Sequence, residues 1–208
     1  AACGPEGRFD PKVRFRSPAL DAASRPLLAV VPFLNQTSRR GAGEAVSLEF
    51  VRQLVDSGAF RVLEPGVVRD LLLRSRIIMP GGVHLEAVRL MLGALEVDLV
   101  LGGAVLGYED QGAVPRVRFT ATMVEGWGEL VWSSSSYSQG DDGVWFFGLG
   151  QVATAGDLTC RMVAGVAERM VPDRRRMRRT PEKVGPSGMA GAQRPSDLRT
   201  AASPGVRP

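Results

Sequence analysis

Histidine and cysteine are almost missing from this chain. Among 208 residues there is one histidine, His84, and two cysteines, Cys3 and Cys160. A lone histidine without cysteine or carboxylate partners at ligand spacing makes a poor metal site, so no metal is expected. A Ser/His/Asp arrangement could form only around His84, and no G-x-S-x-G elbow is present. The phosphate-loop pattern with Gly-Lys-Ser/Thr is absent too, and Gly41-Ala42-Gly43 lacks the third glycine and the following strand context of a dinucleotide-binding turn. Glu125 and Glu129 straddle a turn and read as a solvated pair. No run reaches the roughly 18 apolar residues that a membrane-spanning helix needs. These shortages argue against an enzyme and against any cofactor.

Positive charge is plentiful but confined. The net charge is +4. From Asp173 onward nine Arg or Lys stand against three acids, so that stretch carries +6 and the rest carries −2. A nucleic-acid-binding domain would place its basic stripe on the fold itself, so no nucleic-acid partner is expected. Arg, Pro, Gly, Ser and Ala dominate 172–208, a composition that cannot bury a core. Its cluster Arg174, Arg175, Arg176, Arg178 and Arg179 is a candidate contact for an anionic surface.

The apolar residues that are present sort into periods. Leu27-Leu28-Ala29-Val30-Val31 is continuous, as in a strand covered on both faces, and Pro32 closes it. The run over 96–110 reads the same way and is expected beside the first. From Ala42 the period becomes 3.6, with Val46, Phe50 and Leu54 on one face. Asp56-Ser57-Gly58 stops that helix, Phe60 to Leu63 is a strand, and Pro65 opens another helix. Leu85, Val88, Met91, Leu92 and Leu95 predict a third helix after a break at 77–82. Arg116 to Glu125 alternates and Leu130 to Tyr137 returns as a hairpin. A fourth helix is predicted over about 149–171, with Cys160 as a small buried thiol beside its apolar face.

The expected architecture is α/β: a mixed four- to five-stranded sheet with packed helices over 27–171. Residues 1–26 read as a tether with four prolines, although the alternation over Lys12 to Arg16 leaves an edge strand open. Between Tyr137 and the last helix, Trp145, Phe146 and Phe147 stand close together. They either staple that helix to the sheet or form a partner-binding patch.

Two resemblances add to this reading. Ala1-Ala2-Cys3 resembles the end of a bacterial lipobox, which implies cleavage before Cys3 and acylation of it, with Gly4 implying the outer membrane. The segments "GAGEAV", "DSGAFRVLEPGVVRDLL" and "LEVDLVLGGAVLGYED" resemble the shared core of the bacterial envelope lipoproteins that includes CsgG, the TolB N-terminal domain, FlgO and LpoB. Ser57, Gly58, Phe60, Val62 and Glu64 fill one motif, and Val97, Asp98, Val100, Leu101, Gly103 and Val105 fill the other. The resemblance implies a non-enzymatic, periplasm-facing outer-membrane lipoprotein. It would scaffold a secretion, curli-like or flagellar machine, with an envelope protein as partner and homo-oligomers possible. The alternative it implies is an activator of a peptidoglycan synthase. A CsgG-type pore would need two further membrane hairpins, and the hairpin at 116–137 is needed by the core.

Overall fold

The computed structural model describes residues 9–22, 25–76, 85–110, 114–125, 128–142, 144 and 150–171. Its central strand pair is the one the apolar runs predict. Strand β2 (Leu27–Val30) lies parallel to β5 (Leu99–Glu109), with Leu28 opposite Leu99 and Val30 opposite Leu101. Alternate residues of β2 enter different cores: Leu28 and Val30 face one, Ala29 and Val31 the other. Burial on both faces is why the run is unbroken rather than alternating.

Asp98 ties the two strands at their start. Its carboxylate accepts from the Leu27 N–H at 2.7 Å, and its own N–H donates to the Leu27 carbonyl at 2.9 Å. Gly103 permits close packing farther along. A Cβ there would sit 2.0 Å from the Thr120 carbonyl oxygen and 2.6 Å from the Phe33 ring. Both motif residues therefore serve the scaffold.

Around this pair the described sheet has seven strands in the order β1-β7-β6-β5-β2-β4, with β3 paired to β5. Strands β6 (Arg116–Glu125) and β7 (Glu129–Gln139) form the expected antiparallel hairpin. The sheet is mixed, as expected, but larger than four or five strands. The additions are the two-residue β3 (Leu34–Asn35) and β1 (Lys12–Arg16), while the strand expected over 60–63 is present as the short β4 (Arg61–Val62). Strand β1 pairs antiparallel with β7, so 12–16 take the edge-strand option and are not a spacer. Beyond it the short helix α1 (Ala19–Ala22) buries Leu20, and Arg16 lies 5.6 Å from the Trp132 ring centroid. The folded body thus reaches back before Leu27.

Two helices cover one face of the sheet. Helix α2 (Ala42–Ser57) buries Val46, Phe50 and Leu54, and α5 (Ala155–Met170) buries Leu158, Met162, Val163 and Val166. Phe50 stacks on Phe33 at 5.2 Å and meets Phe119 edge-on at 5.8 Å. The last helix begins later than its period suggested because Thr154 caps it, accepting from the Asp157 N–H at 3.0 Å. On the opposite face α3 (Pro65–Arg74) and α4 (Leu85–Leu95) pack over Ala29, Val31 and Val100. The break at 77–82 lies outside the described residues.

Candidate functional site

All the residues that the sequence singles out for function lie outside the described residues. This holds for Cys3, for Trp145, Phe146 and Phe147, for His84, and for Arg174, Arg175, Arg176, Arg178 and Arg179. Among the described residues no group of three or more His, Cys, Asp or Glu side chains could hold a metal, and no helix is long and apolar enough to cross a membrane.

The described residues do form an open groove of about 710 Å3 between Ser38, Arg39 and Arg40 on one side and Tyr108, Glu109 and Asp110 on the other. Its first wall is a loop shaped by Asn35. The Asn35 amide donates to the Arg39 carbonyl at 2.7 Å, and its oxygen accepts from the Thr37 N–H at 3.0 Å and the Thr37 hydroxyl at 2.7 Å. These local bonds turn the chain between β3 and α2. Its second wall is the end of β5. There Asp110 accepts from the Ala155 N–H at 2.8 Å, which holds the first turn of α5, and Glu109 lies 3.8 Å from Arg116. Pairing of Leu34 with Ala104 brings together walls about 70 positions apart, which no local pattern in the sequence announces. The groove combines two cations, two acids and hydroxyls, all of them near solvent. It can make polar contacts, and among its described lining residues no nucleophile is set against a base.

A second cluster joins α2 to α5. Arg52 binds Glu49 through two nitrogens at 2.5 and 3.1 Å and donates to the Cys160 sulfur at 2.8 Å. Glu49 also accepts from the Gln53 amide at 2.8 Å. The hydrogen bond to Glu49 raises the Arg52 pKa, so the guanidinium stays charged throughout the accessible pH range. Cys160 is not the free buried thiol that the sequence suggested. Its sulfur is in a disulfide, and no described cysteine is free. The only other cysteine in the sequence is Cys3.

No protein-family model and no curated protein matches this sequence. Solved structures do. PelC from Paraburkholderia phytofirmans, solved as a dodecamer, matches with a TM-score of 0.52 at 17% identity, over 77% of this chain and 97% of that one. The lipoprotein GNA1162 from Neisseria meningitidis matches with a TM-score of 0.49 at 19% identity, over 70% and 97%. The LpoB C-terminal domain from Salmonella enterica matches with a TM-score of 0.40 at 17% identity, over 56% and 84%. At these identities the likeness, carried by the PelC match, is one of fold alone.

Proposed function

We propose that this protein is a non-enzymatic envelope lipoprotein that works by contact, as a self-assembling scaffold of an outer-membrane machine. The observation that carries the reading is the fold it shares with the PelC dodecamer, across nearly the whole of that chain. A mixed sheet whose motif residues Asp98 and Gly103 serve the scaffold is suited to presenting surfaces.

In this reading acyl chains on Cys3 hold the domain to the periplasmic side of the outer membrane. Two or more chains are needed for durable attachment, since one gives only marginal binding. Trp145, Phe146 and Phe147 supply a partner-binding patch, and the arginines at 174–176 and 178–179 meet an anionic surface. The Cys160 disulfide bears directly on the anchor. A thioether-linked lipid and a disulfide compete for the sulfur of Cys3, so one molecule cannot carry both. We assign the disulfide to the unacylated form, and acylation would leave Cys160 as a thiol beside Arg52.

The intact mass of the protein extracted from membranes, with and without thiol alkylation, tests the anchor. The expected species starts at Cys3, carries acyl mass and takes one alkyl group at Cys160. An unacylated protein in the soluble fraction, with both sulfurs protected until reduction, would overturn the anchor. Crosslinking in native membranes tests the role. Homo-oligomers support the scaffold, whereas a one-to-one complex with a peptidoglycan synthase would replace it with the activator reading.

A further inference from the structure

The two faces of the sheet are unequally covered. On the side where α3 and α4 pack, burial by described elements ends near Val100 and Val124. Beyond that line the same face continues across β5, β6, β7 and β1 with no described helix over it. Register shows which side chains share it: Thr122 lies opposite Ser133, and Ser133 opposite Phe15. In the next row Ala104, Thr120, Ser135 and Lys12 align, and then Gly107, Arg118 and Tyr137. The floor is therefore small and flat, with Phe15 (43% exposed) and Tyr137 (53%) rising from it beside the exposed cations Lys12 and Arg118.

A matching surface lies on the other side of the molecule. The solvent side of α2 exposes Leu48 (49%) and Val55 (54%), seven residues apart and so on one stripe. Acids outnumber cations around them: Glu44 and Asp56 are exposed, and Arg52, which stands on the same stripe, is paired with Glu49. Leu48 and Val55 are separated by about 10 Å along the helix axis. Tyr137 and Phe15 are separated by about 14 Å, four residues along the strand and one strand across. The apolar pairs are comparable in span, and the net charges around them are opposite in sign.

We propose that α2 of one copy lies on the uncovered sheet face of the next, with Leu48 and Val55 against the floor between Tyr137 and Phe15. Glu44 and Asp56 then face Arg118 and Lys12. This rests on the self-assembly reading above and names its surface. The two patches lie on opposite sides of the sheet, so the contact is head-to-tail, and it makes a closed ring when the rotation per copy closes. Edge-to-edge strand addition is disfavoured, because β1 carries Lys12, Arg14 and Arg16 and has a register shift between Val13 and Phe15.

Sedimentation velocity of the full chain with the variants Leu48→Glu and Tyr137→Glu tests the contact. Each single variant should be a monomer whose Tm stays within about 2 °C of the parent, since both sites are exposed. Mixed in equal amounts, they should form a dimer and nothing larger, because each retains the one patch the other lacks. Charge reversal supplies an independent check: Glu44→Arg and Arg118→Glu should each lower the assembly mass, and the double variant should restore it. An assembled parent whose single variants remain fully assembled, or whose mixed variants stay monomeric, would overturn this contact and leave self-assembly standing. A parent that is monomeric both in detergent and on membranes would overturn self-assembly itself.

Discussion

The sheet has two halves that differ in one respect, the number of faces covered. At β2 and the start of β5 both faces are dry, and the residues are Leu, Ala, Val and Leu without interruption. At β6 and β7 one face is dry, and the residues alternate. Val117, Phe119, Ala121 and Met123 are fully buried on the inner face, whereas Arg116, Arg118, Thr120 and Thr122 point outward. Hydrophobic free energy depends on the area removed from water, so each half needs apolar residues only where something covers it. The contrast locates the stable part of the molecule and leaves the outward face of the other half available for contact.

The largest expected effect strikes the layer common to both halves. Phe50 is fully buried between Phe33 and Phe119 and joins α2 to both halves of the sheet. Phe50→Ala should cost about 3 to 5 kcal/mol, part lost transfer energy and part cavity, measured as a fall in the urea midpoint. A cost below about 1 kcal/mol would mean that α2 does not bridge the halves.

Val100 sharpens the comparison. It faces the same way as Thr122 but lies under α3 and α4 and is fully buried. Val100→Ala should cost about 2 kcal/mol by urea denaturation, as deletion of buried methyl groups in a dry core does. If it cost no more than an exposed substitution, coverage by α3 and α4 would be illusory.

Coverage explains how far the sequence alone could be read. The β2–β5 pair was legible because a doubly buried strand prints an unbroken run. The hairpin was legible because a singly buried one alternates, and α2 and α5 because their buried residues recur at 3.6. Strand β1 was left open between strand and spacer. Its exposed Val13 and Phe15 and its three cations carry the weak pattern of an edge, and its pairing with β7 joins residues over 100 positions apart. The two-residue β3 is too short to print any period, whereas β4 was legible as the short apolar run between two helices. The groove between Arg39 and Tyr108 was invisible for the same reason as β1, since the pairing that builds it is long-range. The tether motif at Cys3, the aromatic trio at 145–147 and the basic cluster beyond 173 were legible as patterns, but they lie outside the described residues.

The inner row of β7 should produce a smaller effect of opposite sign. Trp132, Ser134 and Ser136 are buried there, and the Ser134 and Ser136 hydroxyls and the Trp132 ring N–H make no hydrogen bond among the described residues. A buried hydroxyl without a partner keeps its desolvation cost, so removing it relieves that cost and leaves a cavity of one oxygen atom. Ser136→Ala should stabilise the fold by up to about 1 kcal/mol in thermal unfolding, in contrast to truncation of the apolar residues on that face. A loss of stability would point to a hydrogen bond supplied by a buried water.

The smallest effect belongs to Thr122, the counterpart of Val100 beyond the covered line. Its side chain stands on the open face, opposite Gly102 on one strand and Ser133 on the other. In a dilute monomer Thr122→Ala should change stability by less than about 0.5 kcal/mol, because no described helix packs on this part of the face. In an assembly that places a helix on this face, the same residue lies in a dry contact. Replacement by a larger charged residue, Thr122→Lys, should then leave the urea midpoint of the monomer unchanged and reduce the sedimenting mass. A shift in the monomer midpoint with no change in mass would mean that this half is covered from within the chain, and the difference between the two halves would vanish.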